Sequence, residues 1–565
     1  MEGRQMTPAL DARSTRLTQR LIQSATLWHV VAALAGLAAV VLIAVGVIVL
    51  NLPAWLRITA GVLLLVFTGA SAAAAWFLHL RKRLGRTFSL VTNYLGFIVS
   101  LLALFQFLGI FTGVDALADT FSRGLWALAG VFLGYLISAS GDRFHASIDT
   151  EILLKKIGKY VALASFVVFL FLVGLVDGLL YLARQLAQPA AVAALLLTLV
   201  FGFMVWALWR EDSGIALNRS NAHTETLEGY LFLSPNLLGF LVFFAFPLLF
   251  SFFVSLTDWD AFGNQNFIGL RNYANIFTLN LQPLAYAGQL MTEVMDGSIF
   301  SELLRFKLFG KEFLLGAKDA LFWISLRNTL LFVILTVPLS AIPALLLANI
   351  LNSKIPGMKV FRAIYFVPSI AATVGIALIW QWLYNASIGY INYFITLAVT
   401  FFNGTFGAAL VDPQIRWLSE ARTSMLAIVI MSAWQTLGFN TVLFLAGLQN
   451  IPKEIYEAAT VDGAGSWARF WNMTLPLLAP TTFFVITTTT IQAMQVFEQV
   501  FIMTNPPGAP ANSTLTIVLY LYQNGFQRFR QGYAAAIAWV LFTVIFLVTL
   551  LQFRNQRRTG GGYDM

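Results

Sequence analysis

Two groups of polar and aromatic side chains interrupt otherwise apolar stretches of the chain. The first group consists of Trp380, Gln381, Trp382 and Tyr384, and the second of Gln492, Gln495 and Glu498. Aromatic rings stack on the C–H faces of sugars, and amides or carboxylates hydrogen-bond hydroxyl groups. On one continuous helix, the spacing i, i+3, i+6 would place the second group on one face. The residues fit a path for a neutral hydroxylated solute, but interhelical amide bonds within a bundle would use the same types.

The sequence contains no motif that indicates enzyme catalysis. There is no cysteine, and the four histidines (His29, His79, His145 and His223) lack metal-ligand spacing. The Gly-Lys pairs at Lys159 and Lys311 are followed by Tyr160 and Glu312 rather than by Ser or Thr, so no P-loop exists. We expect no catalytic residue, no metal site and no cofactor in this chain.

Composition indicates an integral membrane protein. Hydrophobic residues make up 59% of the 565 positions and charged residues 11%, with a mean hydropathy of +0.77. About twelve apolar runs are long enough to span a bilayer as helices. They lie near 27–50, 54–79, 89–112, 124–140, 160–182, 190–208, 231–256, 328–350, 363–384, 423–447, 476–500 and 533–553. Because the runs are continuous rather than alternating, an all-α polytopic fold is predicted.

The distribution of basic residues gives the orientation. A net charge of +9 could suggest a nucleic-acid partner, but Lys and Arg concentrate in alternate loops, such as those containing Arg81 and Lys155. By the positive-inside rule these loops face the cytoplasm, with both termini inside. We therefore expect no nucleic-acid partner, and we place the loop at 451–475 in the cytoplasm.

The chain divides into two blocks of different composition. Residues 1–210 are predicted to form about six apolar helices with very few polar side chains and an unclear role, and 211–229 are interpreted as a polar cytoplasmic linker. Residues 230–565 carry Pro, Gly, Gln and Asn within the apolar runs, as water-lined pathways do. An outer loop at 257–325 is long enough to fold as a cap, and we expect short helices around 298–320.

The segment 457–476 is the most informative feature. It reads as two short helices broken by Gly463 and Gly465, and it ends at Leu475-Pro476, where the next apolar run begins. Acidic Glu457 and Asp462 alternate with apolar residues, and small Ala458 and Ala459 permit close helix approach. A folded, partly apolar loop on one membrane face is typical of a docking element, although a loop lying on the membrane surface is the alternative.

This segment resembles the cytoplasmic signature of the membrane subunits of binding-protein-dependent ABC importers. Glu457-Ala458-Ala459, Gly463 and Leu475-Pro476 match that signature in register, with Met473 where isoleucine is usual. Residues 267–273, 361–368, 379–385, 389–392 and 495–498 resemble the carbohydrate branch, the MalF-type permeases. The resemblance covers roughly 230–556 and only loosely the first 210 residues.

The resemblance implies a type I importer permease core with an N-terminal helical extension, in a bacterial or archaeal plasma membrane. It implies two copies of an ABC ATPase that bind ATP and Mg²⁺, a second homologous permease subunit, and an extracytoplasmic solute-binding protein. The substrate would be a maltose- or oligosaccharide-like sugar. Glu457 and its loop would couple this chain to the ATPase.

Three alternatives remain. The first is an importer of a non-sugar solute, such as glycerol phosphate or a polyamine, which would use the same mechanism. A phosphate would require cations along its path, and the mid-membrane spans lack them. A twelve-helix secondary transporter fits the helix count, yet the halves show no corresponding repeats. A membrane-bound enzyme would need a group of acid–base or metal-binding residues, and the sequence contains no such group.

Overall fold

The structure is a computed structural model that describes residues 8–45, 54–143, 148–286, 288–352 and 356–558. His145 and the last residues of the predicted span 27–50 lie outside these ranges. The chain divides into two units, residues 1–237 and 238–565. The division falls inside a helix that runs from Asn221 to Ser255.

The first unit consists of long helices packed largely in pairs. Its elements are α1 (Pro8–Ala44), α2 (Ala54–His79), α3 (Arg83–Phe107), α4 (Ile110–Arg143), α5 (Ile148–Leu172), α6 (Leu175–Leu186), α7 (Pro189–Trp209), α8 (Glu211–Ala216) and the start of α9 (Asn221–Phe240). Helix α1 packs on α2, α3 on α7, and α4 on α5. In the last pair Gly134 and Gly158 face each other so closely that an added Cβ on either would lie within 2.6 Å of the other's carbonyl oxygen.

The polar segment predicted as a linker, 211–229, is helical and packed. It forms α8 and the first part of α9. Ser213 is buried and its hydroxyl donates to the Ala207 carbonyl at 2.8 Å. Leu217 is also buried. The segment is therefore helical and packs against the first unit through a few buried residues, although most of its side chains are exposed.

The second unit contains shorter and more irregular elements. They are a π-helical turn (Leu241–Ala245), α10 (Phe246–Ser255), α11 (Arg271–Phe277), β1 (Leu279–Pro283), α12 (Met291–Val294), β2 (Ser301–Leu308), β3 (Lys311–Ala317), α13 (Ala320–Leu351), α14 (Met358–Ile370), α15 (Thr373–Leu383), α16 (Tyr390–Phe406), α17 (Ser424–Gln449), α18 (Lys453–Val461), α19 (Ser466–Arg469), a second π-helical turn (Phe470–Thr474), α20 (Leu475–Leu477), α21 (Ala479–Met494), α22 (Glu498–Met503), α23 (Ile517–Tyr522), a third π-helical turn (Gln523–Gln527) and α24 (Gln531–Arg558).

The helix content agrees with a polytopic membrane protein. Within the described residues, eight helices are long and apolar enough to cross a membrane, and three bent helix pairs raise the number to eleven. A shorter apolar helix, Gly124–Ser140, falls at the predicted run 124–140. The all-α, polytopic prediction is confirmed, and each predicted run corresponds to one of these helices or pairs.

The cap differs from its prediction. Residues around 298–320, expected to be helical, form the hairpin β2–β3, and β1 adds to β3 in an antiparallel sheet of order β1-β3-β2. The two-residue turn, Phe309 and Gly310, has positive φ at both positions (49° and 80°), which is the geometry that matches the twist of paired strands. Phe306 lies opposite Phe313 in the register, and their rings stack at 5.8 Å. These cross-strand contacts, invisible in the local sequence, override the apparent helical spacing.

Candidate functional site

The Glu-Ala-Ala segment forms helix α18 and ends in a glycine turn. The N–H of Ala464 donates to the Ala459 carbonyl at 2.9 Å, and the N–H of Gly463 donates to the Thr460 carbonyl at 3.1 Å. This is the Schellman arrangement, which requires a left-handed residue after the helix. Gly463 supplies it with φ of 74°. The chain therefore reverses after Asp462, as the sequence predicts, and enters α19.

Helix α18 has one exposed face and one packed face. Glu454, Glu457, Ala458 and Val461 are exposed and recur at i, i+3, i+4 and i+7, so they share one face. Val461 is 88% exposed. On the opposite side Ala459 is buried. An exposed face that combines carboxylates with small and apolar side chains suits a groove of mixed character on another protein.

Side-chain hydrogen bonds fasten α18 to the chain that returns to the membrane. The Tyr456 hydroxyl lies 3.1 Å from the Thr474 hydroxyl. Arg469 donates from Nη1 to the Thr460 hydroxyl at 2.9 Å. Beside them, Trp467 packs edge-on against Trp471, with ring centroids 5.6 Å apart. The two short helices thus form one folded element, whose Trp467 is left exposed.

This element leads directly into the membrane core of the second unit. Leu475 is half-buried and Pro476 exposed, and the chain bends by 66° between Leu477 and Ala479. At the bend Leu478 is fully buried in a cluster that includes Ala344 of α13 and Phe444 of α17. From there α21 continues to Met494. A displacement of α18 is therefore connected to α21 through packed contacts.

The second polar group does not share one helical face. Helix α21 ends at Met494, and α22 begins only at Glu498. The i, i+3, i+6 prediction for Gln492, Gln495 and Glu498 is wrong in that respect, because the backbone between them is not continuously helical. All three side chains are exposed in the chain. The helix break places Gln495 at a helix end.

The first polar group is split between surface and core. Trp380 and Gln381 are half-buried and Trp382 is 54% exposed, where it packs edge-on against Tyr390. Tyr384 is buried, and its hydroxyl donates to the Ala427 carbonyl at 3.0 Å. The structure thus gives Tyr384 a packing partner in α17, whereas Trp382 presents its ring outward.

The helix that carries this group is also broken. Predicted as one run at 363–384, it consists of α14 and α15 with a bend of 99° between them. Gln435 of α17 donates to the Thr373 hydroxyl at 3.3 Å, at the first residue after the bend. Gly438 permits the close approach of α17, since an added Cβ would meet the Tyr365 carbonyl oxygen at 2.0 Å.

Sequence reasoning missed two polar clusters of the second unit. In the membrane core, Asn440 donates to the hydroxyls of Ser340 (3.4 Å) and Thr489 (3.2 Å), which joins α13, α17 and α21. On the predicted outer side, Asp319 caps α13 through the Phe322 N–H at 3.0 Å. The same carboxylate accepts the hydroxyls of Tyr520 and Tyr533. Sequence separations above 200 residues hide the latter contacts.

A polar cavity of about 420 Å³ adjoins the Asp319 cluster, lined also by Asp258, Asp260, Lys318 and Arg530. In the adjoining loop, a side-chain hydrogen bond from Asn264, together with backbone N–H groups, lowers the pKa of Asp260 below its usual value. In the part of the chain that the structure describes, no group of three His, Asp or Glu residues could hold a metal ion.

The chain is similar to known membrane transport proteins. Residues 320–561 match the family described as "Binding-protein-dependent transport system inner membrane component". The probable ABC transporter permease protein YesP of Bacillus subtilis is 33% identical over 332 residues, which covers 59% of this chain and 91% of that protein. The chain belongs to this family.

Relatives of the permease carry names for different solutes. The trehalose/maltose transport system permease protein MalF of Thermococcus litoralis is 30% identical, with 59% of this chain and 95% of that protein covered. The sn-glycerol-3-phosphate transport system permease protein UgpA of Agrobacterium fabrum is 29% identical, with 58% and 93% covered. The permease is thus a membrane transport component, and the prediction of an importer permease is confirmed.

Proposed function

We propose that this permease is the subunit of an ABC importer through which a sugar, of the maltose or oligosaccharide class, crosses the plasma membrane after delivery by an extracytoplasmic binding protein. Two ATPase subunits, with ATP and Mg²⁺ bound to them, supply the energy, and a second homologous permease completes the pathway. The observation that carries the proposal is the exposed face of α18, which holds Glu457, Ala458 and Val461 on a folded element continuous with α21.

Coupling is mechanical in this proposal. Helix α18 seats in a cleft of the ATPase, where Glu457 pairs with a basic residue of the partner. Since Tyr456 and Arg469 fasten α18 to the returning chain, the element moves as a rigid body when the ATPase subunits close. Leu478 transmits that movement into the packed core, and α21 carries it to Gln492 and Gln495.

A neutral sugar fits the side chains available for the path. Gln492, Gln495 and Glu498 are exposed on the chain alone, and amides exposed in apolar surroundings need a partner, whether solute, water or the second permease. Trp382 presents an exposed ring suited to stacking on a sugar. These groups supply hydrogen bonds and apolar contact. None of them carries the positive charge that would bind a phosphate.

A phosphorylated solute is the second candidate, favoured by the similarity to UgpA. It would need Lys or Arg in the path. In the described spans of the second unit the cations lie toward the span ends, as do Arg327, eight positions into α13, Arg362 near the start of α14, and Arg554 near the end of α24. Arg327 donates to the side-chain oxygen of Asn328 at 3.2 Å. Transport of sn-glycerol 3-phosphate in preference to every neutral sugar tested would favour this candidate.

The coupling proposal is tested by reversing one charge. Glu457→Lys should lower the ATPase activity stimulated by the binding protein roughly tenfold or more, because a like charge then faces the partner's cation. The matched control is Glu225→Lys, an exposed acid of α9 outside the element, which should leave coupling unchanged. Equal effects of the two variants in reconstituted vesicles would overturn the role of α18.

A proline pair tests the turn. Gly463 has φ of 74°, which proline cannot adopt, and Gly463→Pro also removes the N–H bound to Thr460. Gly465, two positions later, has φ of −65°, which proline matches. Gly463→Pro should abolish coupled ATPase activity while the chain still inserts, whereas Gly465→Pro should retain it. Retained coupling in Gly463→Pro would contradict the proposed rigid element.

A further inference from the structure

Two cavities join along helices α1 and α2 of the first unit. The larger, about 790 Å³, is lined by polar side chains that include Gln19, Gln23, Arg81 and Asp212. The smaller, about 360 Å³, is lined mainly by apolar residues, among them Ala33, Leu34, Ala72, Ala75 and Trp76. Both are lined by Thr26, Val30 and His79. They form one groove that is polar at one end and apolar at the other.

The length and direction of the groove match one membrane leaflet. From Thr18 to Leu34 along α1 the rise is about 24 Å. Half of a bilayer with its headgroup region is roughly 20–22 Å thick. The polar end lies at the turn between α2 and α3, which the charge distribution assigns to the cytoplasmic side. The groove therefore runs from the cytoplasmic headgroup region toward the hydrocarbon.

The cation at the mouth of the groove is held by a fixed turn. Arg81 has φ of 53°; its own N–H donates to the Leu78 carbonyl and the N–H of Lys82 to the Phe77 carbonyl, both at 2.9 Å. Gly85 packs against the same backbone, since an added Cβ would lie 2.4 Å from the Leu78 nitrogen. The position of Arg81 is thus set by the backbone, not by a flexible loop.

One cation and one carboxylate line the groove, and the carboxylate lies near a second cation. The titratable groups that line it are His79 of α2, Arg81 of the turn and Asp212 of α8. Asp212 lies 3.8 Å from Arg210, outside the groove lining. Among the described residues, Arg81 has no carboxylate within ion-pair distance. An anion at the polar end would complement this arrangement.

We propose that the groove holds one anionic phospholipid of the cytoplasmic leaflet. Its phosphate lies beside Arg81 and His79, the glycerol region contacts Thr26, and one acyl chain lies between α1 and α2 against Trp76. A lipid is the occupant because only an amphipathic molecule fills the polar and apolar ends together.

The test compares lipids retained by the full chain. The permease is placed in nanodiscs with equal amounts of phosphatidylglycerol and phosphatidylcholine, extracted in detergent, and the bound lipids are counted by mass spectrometry. The wild type should retain phosphatidylglycerol preferentially. Arg81→Gln should reduce that preference about fivefold, the effect expected for one basic residue near a membrane. The control Lys156→Gln, an exposed cation of α5, should leave it unchanged.

A second variant addresses the apolar end. Ala72→Phe fills the space between α1 and α2 and should reduce retention of both lipids, whereas Leu63→Phe, exposed on α2 outside the groove, should not. Equal preference in Arg81→Gln and Lys156→Gln would overturn the proposal. So would displacement of the lipid by inorganic phosphate alone, which would indicate a simple anion site, or its loss on assembly with partner subunits, which would indicate that a protein covers the groove.

Discussion

The two units both bury polar side chains among apolar helices, but the helices around those side chains differ. In the first unit, Asn93 accepts the Trp28 indole N–H at 2.9 Å and lies 3.1 Å from His29, all within the uninterrupted helices α1 and α3. In the second unit, the Asn440 cluster lies among helices whose neighbours bend by 99° and 66°.

The difference teaches what each polar cluster is for. Continuous helices satisfy their own backbone, so a buried amide between them only holds the pair together. Broken helices leave backbone groups that need partners, and such breaks persist in membranes where they line a cavity or a protein interface. Among its described residues the first unit contains one bent pair, α5 with α6 at 46°, and the bend at 172–175 includes no amide side chain. We interpret the first unit as a scaffold and the second as the moving pathway.

The largest expected effect comes from glycines at close helix contacts. Gly438→Ala forces a Cβ against the Tyr365 carbonyl and should abolish transport, with a loss of about 1–3 kcal/mol in stability from overpacking. Gly134→Ala creates a similar clash between α4 and α5, and should lower the melting temperature while assembled complexes still transport. Melting in detergent and uptake into vesicles measure the two effects.

The control for this pair is Gly375→Ala, because an added Cβ at Gly375 meets open space. It should be neutral or slightly stabilising in a helix. If Gly134→Ala abolished transport as completely as Gly438→Ala, the distinction between scaffold and pathway would fail.

The next effect concerns the two buried amides. Asn440→Leu should reduce transport roughly tenfold, because it removes the bonds that join α17 to α13 and α21 during movement. Asn93→Leu should cost roughly 1 kcal/mol of stability and leave the transport rate per folded molecule unchanged. Uptake normalised to folded protein, measured by size-exclusion chromatography, separates the two; the reverse ranking would contradict the comparison.

A smaller effect is expected at the helix break. Gln495→Ala should raise the KM for sugar about threefold to tenfold with little change in kcat, as loss of one hydrogen bond predicts. Gln106→Ala, an exposed amide of α3, serves as the control without effect. A change in kcat alone would assign Gln495 to coupling rather than to the solute.

The smallest effect is a local pH response in the cap. Because the folded-state pKa of Asp260 is lowered, by Asn264 above all, its hydrogen bonds stabilise the loop above the usual Asp pKa and are lost as pH falls through the lowered value. The chain has no cysteine, so a spin label on Ala261→Cys reports this site alone. Its mobility should rise only in that acidic range, while a label on Lys311→Cys stays unchanged. Equal responses would remove Asp260 as the cause.

Much of this arrangement was predictable from local sequence. Apolar runs locate the spans because the bilayer fixes their length, and Gly463 locates the turn because few residues adopt its φ. The breaks were predictable only in part. Pro368 lies two residues before the end of α14 and marks the bend in the 363–384 run, but the interruption after Met494 has no proline or glycine to mark it. Likewise, Phe306 joins a strand because of Phe313 across the hairpin, a contact that local spacing does not reveal.

The bend between α14 and α15 also constrains biogenesis. Each half contains eleven residues, Val360–Ile370 and Thr373–Leu383, or roughly 16 Å of helix, which is about half the hydrocarbon thickness. Neither half is long enough to be inserted into the bilayer as a separate span. The partner at the bend, Gln435, is synthesised some sixty residues later. The bend therefore gains this hydrogen bond only after α17 has been synthesised. In a nascent chain stalled before that point, the bend would face lipid without its partner in α17.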